Sequence, residues 1–460
     1  MERHLNSDRN RNHETRRTVN HQARTAAEAE VEDWVRQVLR KTEKTPTLLR
    51  EAAGDSACCI FRVPQSLVEI NEKAYQPRIV SIGPYHNGLE HLKIIEEHKW
   101  RFLGSLLERK EDCDNILQNC FLIIASLEPE IRACYSETNM FKSHEFVEMM
   151  VLDGCFIIEL VCKVTGLIRR EPDDPIFKMD WILPFLMRDL LKLENQIPFF
   201  VLQNLFDILE PNPTTSLVSR TLRFFSDHVL ERPESVLSKA DNLQAKHILD
   251  LVRLSFRPSS PKRPVSPSKK NFLLSFQPAE KLHRAGIQFT TRRNKDSFLD
   301  IKFADGVLRI PPLPMDDIVS SFFLNCVAFE QCYGHCEKFI TDYARFMGCL
   351  IHTSSDAGFL CDHKIIENCF GTDDEVARFF TDVGKDVAFD IERSYLAKSI
   401  EEVNEYYWND WHVRWASFKN KYFDTPWSFI SASAAAVLLI LTMIQTFFAW
   451  YSYAYPRKNN

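Results

Sequence analysis

The stretch His144-Glu145-Phe146-Val147-Glu148-Met149-Met150-Val151-Leu152-Asp153-Gly154-Cys155-Phe156-Ile157-Ile158-Glu159-Leu160-Val161-Cys162-Lys163-Val164 sets the architecture of this chain. Phe146, Met149, Met150, Ile157, Leu160, Val161 and Val164 recur at helical spacing, while Leu152 and Phe156 cover part of the other side. A helix apolar on nearly every face belongs inside a core. Asp153 departs from the pattern, since it lies on the stripe of Phe146, Met150, Ile157 and Leu160, where an unpaired charge is expensive. It reads either as an acid/base or metal-ligating carboxylate, with Glu159 or Glu194, or as a buried acceptor for an arginine or for backbone N–H groups. The second reading is preferred, because buried polar groups are usually members of satisfied networks. Cys155 qualifies as a nucleophile only if a base such as His86 reaches it, and a structural thiol is the commoner state of a buried cysteine.

Working outward, helical patterning continues over Trp181 to Leu193 and Phe199 to Leu209, with Pro198 expected to break the run between them. His247 to Leu254 closes this first half. The segment Arg257-Pro258-Ser259-Ser260-Pro261-Lys262-Arg263-Pro264-Val265-Ser266-Pro267 is proline- and serine-rich and basic, and reads as a linker over 257–271. Ser260 and Ser266 each precede proline and are candidate phosphorylation sites, where phosphate would reverse the local charge. After the linker the period shortens. Gly286 to Phe289, Ser297 to Phe303 and Val307 to Ile310 read as three short strands of a small antiparallel sheet, with Ala304-Asp305-Gly306 as a hairpin turn and Pro311-Pro312 ending the sheet. Helix returns over Ile318 to Met347 and Asp374 to Trp415. On the N-terminal side, residues 1–50 read as a polar, disordered arm with one helix over 26–41, whose Val31, Trp34, Val35, Val38 and Leu39 share a face.

The C-terminal stretch Pro426 to Trp450 contains no charged residue from Phe429 to Ala449. About 20 apolar residues at helical rise span the hydrocarbon core of a bilayer. Trp427, Phe429, Leu438, Leu441 and Trp450 mark the anchor, with Tyr422, Phe423, Tyr451, Tyr453 and Tyr455 as interfacial aromatics. The expectation is a single transmembrane helix over 426–450, followed by a short polar tail, 451–460. Met1 to Arg24 is arginine-rich without an apolar segment, so it is no signal peptide. Lys and Arg near the span slightly favour its N-terminal side. Together these readings predict a tail anchor with the large domain in the cytosol. Ser428, Ala432 and Ala436 lie four apart and offer a face for self-association.

Composition narrows the chemistry. The 460 residues are 45% hydrophobic and 26% charged, which suits a largely globular chain with a substantial core. A net charge of -6 gives no basic surface for nucleic acid. Thirteen unevenly spaced cysteines read as reduced intracellular thiols rather than a disulfide framework. Only 13 glycines argue against phosphate-cradling loops, and no Gly-x-Ser-x-Gly, Walker or His-Glu-x-x-His pattern occurs. Cys332, His335 and Cys336, with Cys326, Cys349 and His352 nearby, supply zinc-ligand residue types, Cys332 and Cys336 one turn apart on an expected helix. Paired Cys-x2-Cys knuckles are missing and the helix is otherwise apolar, so no metal and no cofactor are expected.

The ordered blocks Arg62-Val63-Pro64, Tyr75-Gln76-Pro77, Val80-Ser81-Ile82-Gly83-Pro84-Tyr85-His86, Leu152-Asp153-Gly154-Cys155-Phe156, Leu193-Glu194-Asn195-Gln196-Ile197-Pro198-Phe199-Phe200, Ala328-Phe329-Glu330-Gln331 and Tyr422-Phe423-Asp424-Thr425-Pro426-Trp427-Ser428 resemble the plant-specific domain of unknown function 247, the UPF-0481 group. The resemblance runs from about Cys59 to the C-terminus. It implies a single-span membrane protein with no assigned activity and supplies no catalytic residues. Some grass members are proposed as determinants of pollen self-incompatibility, a recognition role. The sequence thus predicts a mainly α-helical domain, 51–256 and 272–421 forming its two halves, with a small sheet and one terminal transmembrane helix. The preferred function is a membrane-anchored recognition, scaffold or signalling protein that binds the bilayer and an unidentified protein partner. The alternative is a membrane-tethered hydrolase or transferase using Asp153, Cys155 or Glu194.

Overall fold

In the computed structural model, residues 30–138, 140–211, 213–226, 237, 240–258, 276–291, 297–385, 387–388, 391–409 and 426–454 are described. The longer helices, labelled in chain order, are α1 (Lys93–Glu108), α2 (Cys113–Ser126), α3 (Ser143–Val164), α4 (Ile182–Asp189), α5 (Phe199–Leu209), α6 (Leu217–Ser226) and α7 (Ile248–Leu254) in the first half. The second half adds α8 (Asp317–Cys332), α9 (Phe339–Leu350), α10 (Ser354–Asp362), α11 (Asp373–Val383), α12 (Ala397–Tyr407) and α13 (Pro426–Ala454). The fold is mainly helical, as the periodicity predicts.

The helix expected over His144–Val164 is α3, and it lies at the centre of the first half, packed by α1, α2, α5 and α6. Contact on so many sides requires apolar residues all round, and every residue from Met149 to Lys163 is buried. Gly154 lets α5 approach closely, because a Cβ there would collide with the Leu205 side chain. Pro198 is the N-cap of α5; the helix expected to run to Leu193 already ends at Asp189, so the proline opens the next helix rather than breaking the run. Helices α1 and α2 carry apolar residues at helical spacing, Ile95, Phe102, Leu103 and Leu106 on α1, and were not singled out from sequence.

Three strands, β1 (Gln288–Thr291), β2 (Lys302–Ala304) and β3 (Val307–Ile310), form the small sheet in the order β1-β3-β2. The hairpin is as expected: β2 and β3 pair antiparallel, with Ala304 opposite Val307. Asp305 and Gly306 both have positive φ, 53° and 74°, the conformation of a type I′ turn. The sheet is nevertheless mixed, not wholly antiparallel, because β1 pairs with β3 in parallel. Alternation within a strand reports its buried face but not its neighbour, and β3 inserts between the two strands that precede it. Pro311-Pro312 also does not end strand structure, since β4 (Leu313–Met315) follows and pairs in parallel with β5 (Ile366–Asn368).

Both long C-terminal helices expected from sequence are interrupted. The first ends at Cys332, with Tyr333 extended, and resumes at Phe339. The second ends at Val383 before Gly384 and resumes at Ala397. Side chains cap α8, α10 and α11, where Asp316 accepts the Ile318 and Val319 N–H groups, Thr353 pairs with Asp356 and Thr372 with Glu375, whereas the resumed helices at Phe339 and Ala397 have no side-chain cap. One continuous core spans residues from Cys58 to Val403 and includes both sides of the 257–271 segment.

Two elements lie outside that core. Residues 30–42 are helical, with Val31, Trp34, Val35, Val38 and Leu39 all exposed. Helix α13 contains one segment, Ser433–Tyr451, long and apolar enough to cross a membrane, with mean hydropathy 1.8 and no part of it buried. Leu438, Leu441 and Trp450 are exposed on it, and Trp427 and Phe429 fall within the same helix. The Thr442 and Thr446 hydroxyls donate to the Leu438 and Thr442 carbonyls, which satisfies them without water. Ser260 and Ser266, and the arm before residue 30, lie outside the described residues.

Candidate functional site

The blocks singled out from sequence converge on the extended segment 78–86. That segment belongs to neither sheet, so its backbone groups need side-chain partners. Asp189 at the end of α4 supplies one: its Oδ2 accepts the N–H groups of Arg78, Ile79 and Val80 at 2.8, 2.8 and 3.2 Å. Asn195 accepts the Ile82 N–H at 2.7 Å and donates to the carbonyls of Val80 and Asp189. Asp153 on α3 accepts the Gly83 N–H at 2.8 Å through Oδ2. Gly83 has φ +73°, and a Cβ there would stand 2.6 Å from the Gln196 carbonyl oxygen, so both conformation and space require glycine.

Asp153 has its cation as well. Lys99 Nζ lies 2.5 Å from Asp153 Oδ1, 2.5 Å from the Ser81 carbonyl oxygen and 2.6 Å from Glu96 Oε1. Burial pushes the Asp153 carboxyl above its ordinary range, opposed by Lys99 and by the Gly83 N–H. The partner is therefore a lysine together with a backbone N–H. Lys99 was missed from sequence, yet it sits among Ile95, Phe102, Leu103 and Leu106, the same apolar-stripe anomaly that drew attention to Asp153.

Glu194 is engaged on both oxygens. Oε1 accepts the Val63 N–H at 2.7 Å, and Oε2 faces Arg62 Nη1 at 2.8 Å and His86 Nε2 at 3.2 Å. Burial alone would raise this carboxyl, but hydrogen bonds from His86, Val63 and Arg62 outweigh it and hold it below the ordinary range. Arg62 also pairs with Glu137 and lies over the Tyr85 ring, 4.3 Å from its centre. Asp189 thus holds the start of the extended segment, Asp153 and Glu194 its end, and His86 faces Glu194 rather than Cys155. Cys155 is buried beside Cys120 and Glu159, and burial drives its thiol strongly upward, away from the nucleophilic thiolate. Glu159, the other carboxylate weighed with Asp153, instead pairs with Arg109 at 2.5 Å.

The network extends into the second half. Lys192 donates to the Ala74 carbonyl at 3.0 Å, and burial lowers its ammonium to about 8, against the pull of Asp189. Asn325 on α8 donates to the same Ala74 carbonyl at 2.9 Å and accepts the Leu193 N–H at 2.9 Å. Arg253 on α7 is held between Asp250 and Glu330 at 2.8 and 2.9 Å, and Glu330 accepts the Thr341 N–H at 2.7 Å.

The zinc-type residues are arranged differently from the sequence expectation. The helix ends at Cys332, so Cys332 and Cys336 do not share a helical face. Cys336 donates to the Tyr333 carbonyl, and His335 Nε2 stands 2.9 Å from the Gly54 carbonyl. Among the described residues no group of three or more His, Cys, Asp or Glu side chains is placed to hold a metal ion. An open groove of about 260 Å³ lies at the junction of the halves, with Ile70, Leu324 and Phe379 on its apolar wall and Asp317, Glu375 and Asp382 at its edge.

A UPF0481 protein of Arabidopsis thaliana is 41% identical over 451 residues, covering 92% of this chain and 93% of the relative. A second UPF0481 protein of that plant is 22% identical over 485 residues, covering 84% and 89% respectively. No solved structure matches the chain. The family DUF247, described as plant protein of unknown function, matches residues 60–441, and the chain belongs to that family.

Proposed function

We propose that this protein is a membrane-anchored recognition or scaffold protein, held in the bilayer by α13 with its folded region on the cytosolic side. One observation carries the proposal: the carboxylates that suggested chemistry are consumed in holding backbone, while apolar surface is left uncovered outside the core. Asp153 spends its oxygens on the Gly83 N–H and Lys99, and Glu194 on the Val63 N–H and Arg62. By contrast, Trp34, Val35, Val38 and Leu39 present a continuous helical face with exposures of 51–57%. Uncovered apolar stripes of this kind mark interaction surfaces. The helix is only about three turns long, too short to persist in water on its own propensity. An apolar protein surface at the membrane that packs against Trp34 and Val38 is the partner that fits.

The test is a photo-crosslinking residue in place of Trp34 in the full chain, expressed in native membranes. A discrete protein adduct that disappears in the Val35→Asp/Val38→Asp variant supports the proposal. Adducts to lipid alone, or none, overturn it. Protease treatment of intact vesicles tests the orientation separately: digestion of the region before Lys419 is expected, and its protection places the folded region on the other side.

A further inference from the structure

Three buried cysteines, Cys58, Cys59 and Cys134, lie where the chain enters the core. Two of them are held in register by the backbone. Ile60 and Tyr135 form an isolated parallel bridge, made by the Ile60 N–H to the Cys134 carbonyl and the Ser136 N–H to the Ile60 carbonyl, both 2.9 Å. The Cys59 N–H donates to the Cys134 carbonyl at the same distance. Cys59 and Cys134 therefore meet at the backbone, where Cys134, the C-cap of the short helix Glu128–Ala133, is helical rather than extended. Backbones joined this closely lie about 5 Å apart, within the Cα separations a disulfide accepts.

The surroundings divide the labour between the two thiols. The Cys134 thiol donates to the Glu130 carbonyl at 3.3 Å, and the neighbouring Cys59 thiol, with Lys246 and Arg50, holds it below the ordinary thiol range against burial. Cys59 is pushed well up by the neighbouring Cys134 thiol and by its burial. Arg50 is fixed to the Ala133 carbonyl at 3.0 Å and Lys246 to the Ser56 carbonyl at 3.3 Å, so both cations stay beside the pair. Cys134 is the thiol that ionises first, and Cys59 the one that resolves it.

We propose that Cys59 and Cys134 are a reversible dithiol–disulfide pair, closed by a peroxide and reopened by a cellular thiol. In the first step the Cys134 thiolate attacks one peroxide oxygen, the O–O bond breaks, and Cys134 sulfenic acid and hydroxide form. In the second step the Cys59 sulfur attacks the sulfenic sulfur, the S–O bond breaks, and its oxygen leaves as water with the Cys59 proton. The sum is two thiols and one peroxide to one disulfide and two waters. The bond clamps residues 50–60 to the end of the short helix Glu128–Ala133. The chain before Cys59 is already joined to 133–138 through Thr47 and Arg50, so closing the pair reinforces the base from which the exposed helix at 30–42 departs. Only the resting, reduced state rests on the cytosolic orientation; the pairing itself does not.

The experiment titrates the full chain in mild detergent with hydrogen peroxide, then alkylates and digests it without reduction. The expected product is a Cys59–Cys134 linked peptide, lighter by two hydrogens and reversed by dithiothreitol, with an upward shift of the thermal midpoint. Cys58→Ser retains the linkage; Cys59→Ser loses it and leaves a Cys134 sulfenic acid that dimedone traps. Linkage of Cys134 to Cys58, or oxidation of Cys134 to sulfinic acid with Cys59 still a free thiol, overturns the pair. A linkage already complete in protein taken from native membranes under alkylation overturns the reversible switch and, with vesicle protection, points to an oxidising compartment instead.

Discussion

Lys99 and Asp153 meet at 2.5 Å with their side chains 1% and 2% exposed, and this ion pair joins α1 to α3 beneath the extended segment 78–86. Neither charge has adequate solvent to fall back on. Removing one partner of such a pair costs about 3–5 kcal/mol, because the other is left buried and uncompensated. Asp153→Leu and Lys99→Met are each expected to lower the unfolding midpoint of the full chain strongly, and the Lys99→Met/Asp153→Leu double variant to lose less than the sum of its single changes. Thermal unfolding of the wild type and these three variants in detergent measures the coupling. Additive losses would mean that the two residues act independently.

Gly83 and Gly88 have similar left-handed conformations, φ +73° and +84°, but different surroundings. A Cβ at Gly88 meets nothing within 4 Å, whereas at Gly83 it meets the Gln196 carbonyl oxygen at 2.6 Å and the Tyr135 hydroxyl at 3.0 Å. Gly88→Ala carries only the conformational cost, about 1–2 kcal/mol. Gly83→Ala adds displacement of the Glu194-Asn195-Gln196 backbone to that cost. Its midpoint should fall clearly below that of Gly88→Ala; equal midpoints would show that the close approach is not tight.

His247 caps α7 by accepting the Asp250 N–H at Nδ1, while Nε2 faces the buried Cys59 carbonyl at 3.1 Å. The tautomer that fits has its proton on Nε2, and a second proton on Nδ1 would oppose the Asp250 N–H. Burial first, then Arg253 and Lys246, lower its pKa to about 4, against Asp250 and the Cys59 carbonyl. Between about 4 and 6.5 the unfolded chain binds this proton and the folded chain does not, so stability contributed by neutral His247 falls as pH drops through that window. The full difference is roughly 3 kcal/mol at 1.36 kcal/mol per pKa unit. Chemical denaturation of wild type and His247→Gln at pH 4.5 and 7 should show a steeper acid loss in the wild type. Parallel slopes would remove His247 as the cause.

Leu438 and Leu441 lie in the middle of the apolar segment of α13. An arginine at the centre of a span costs about 2.5–3.5 kcal/mol of insertion free energy, and two add. The Leu438→Arg/Leu441→Arg variant should leave the carbonate-resistant membrane fraction while the domain before residue 409 keeps its protease-resistant core. Retention of the double variant in that fraction would mean that another part of the chain holds it there.

Much of the fold is legible in the sequence because periodicity reports burial directly. The all-round apolar pattern of α3, the Pro198 start of α5 and the Asp305-Gly306 turn each follow from a local physical rule. What the sequence withholds is pairing. The parallel placement of β1 beside β3, and the choice of Lys99 rather than an arginine for Asp153, depend on which distant segments meet. The interruptions at Tyr333 and Gly384 do carry local signals, Gly334 with Glu337-Lys338 at the first and Gly384 at the second, which the apolar patterns on either side outweigh in the sequence. Asp153 stands out in the sequence, with a backbone N–H as one alternative partner, but Asp189, which holds 78–80, does not.

Asn325 reaches back across 251 residues to the Ala74 carbonyl and across 132 to the Leu193 N–H. During synthesis, that carbonyl and that amide emerge long before the side chain that joins them. The N-terminal half must therefore wait, with its buried polar groups only partly matched, until more than two-thirds of the polypeptide has left the ribosome. Loop closure over such spans is slow, and a chain in that interval exposes unfinished surface. The order of emergence therefore sets how long the first half must stay incompletely matched.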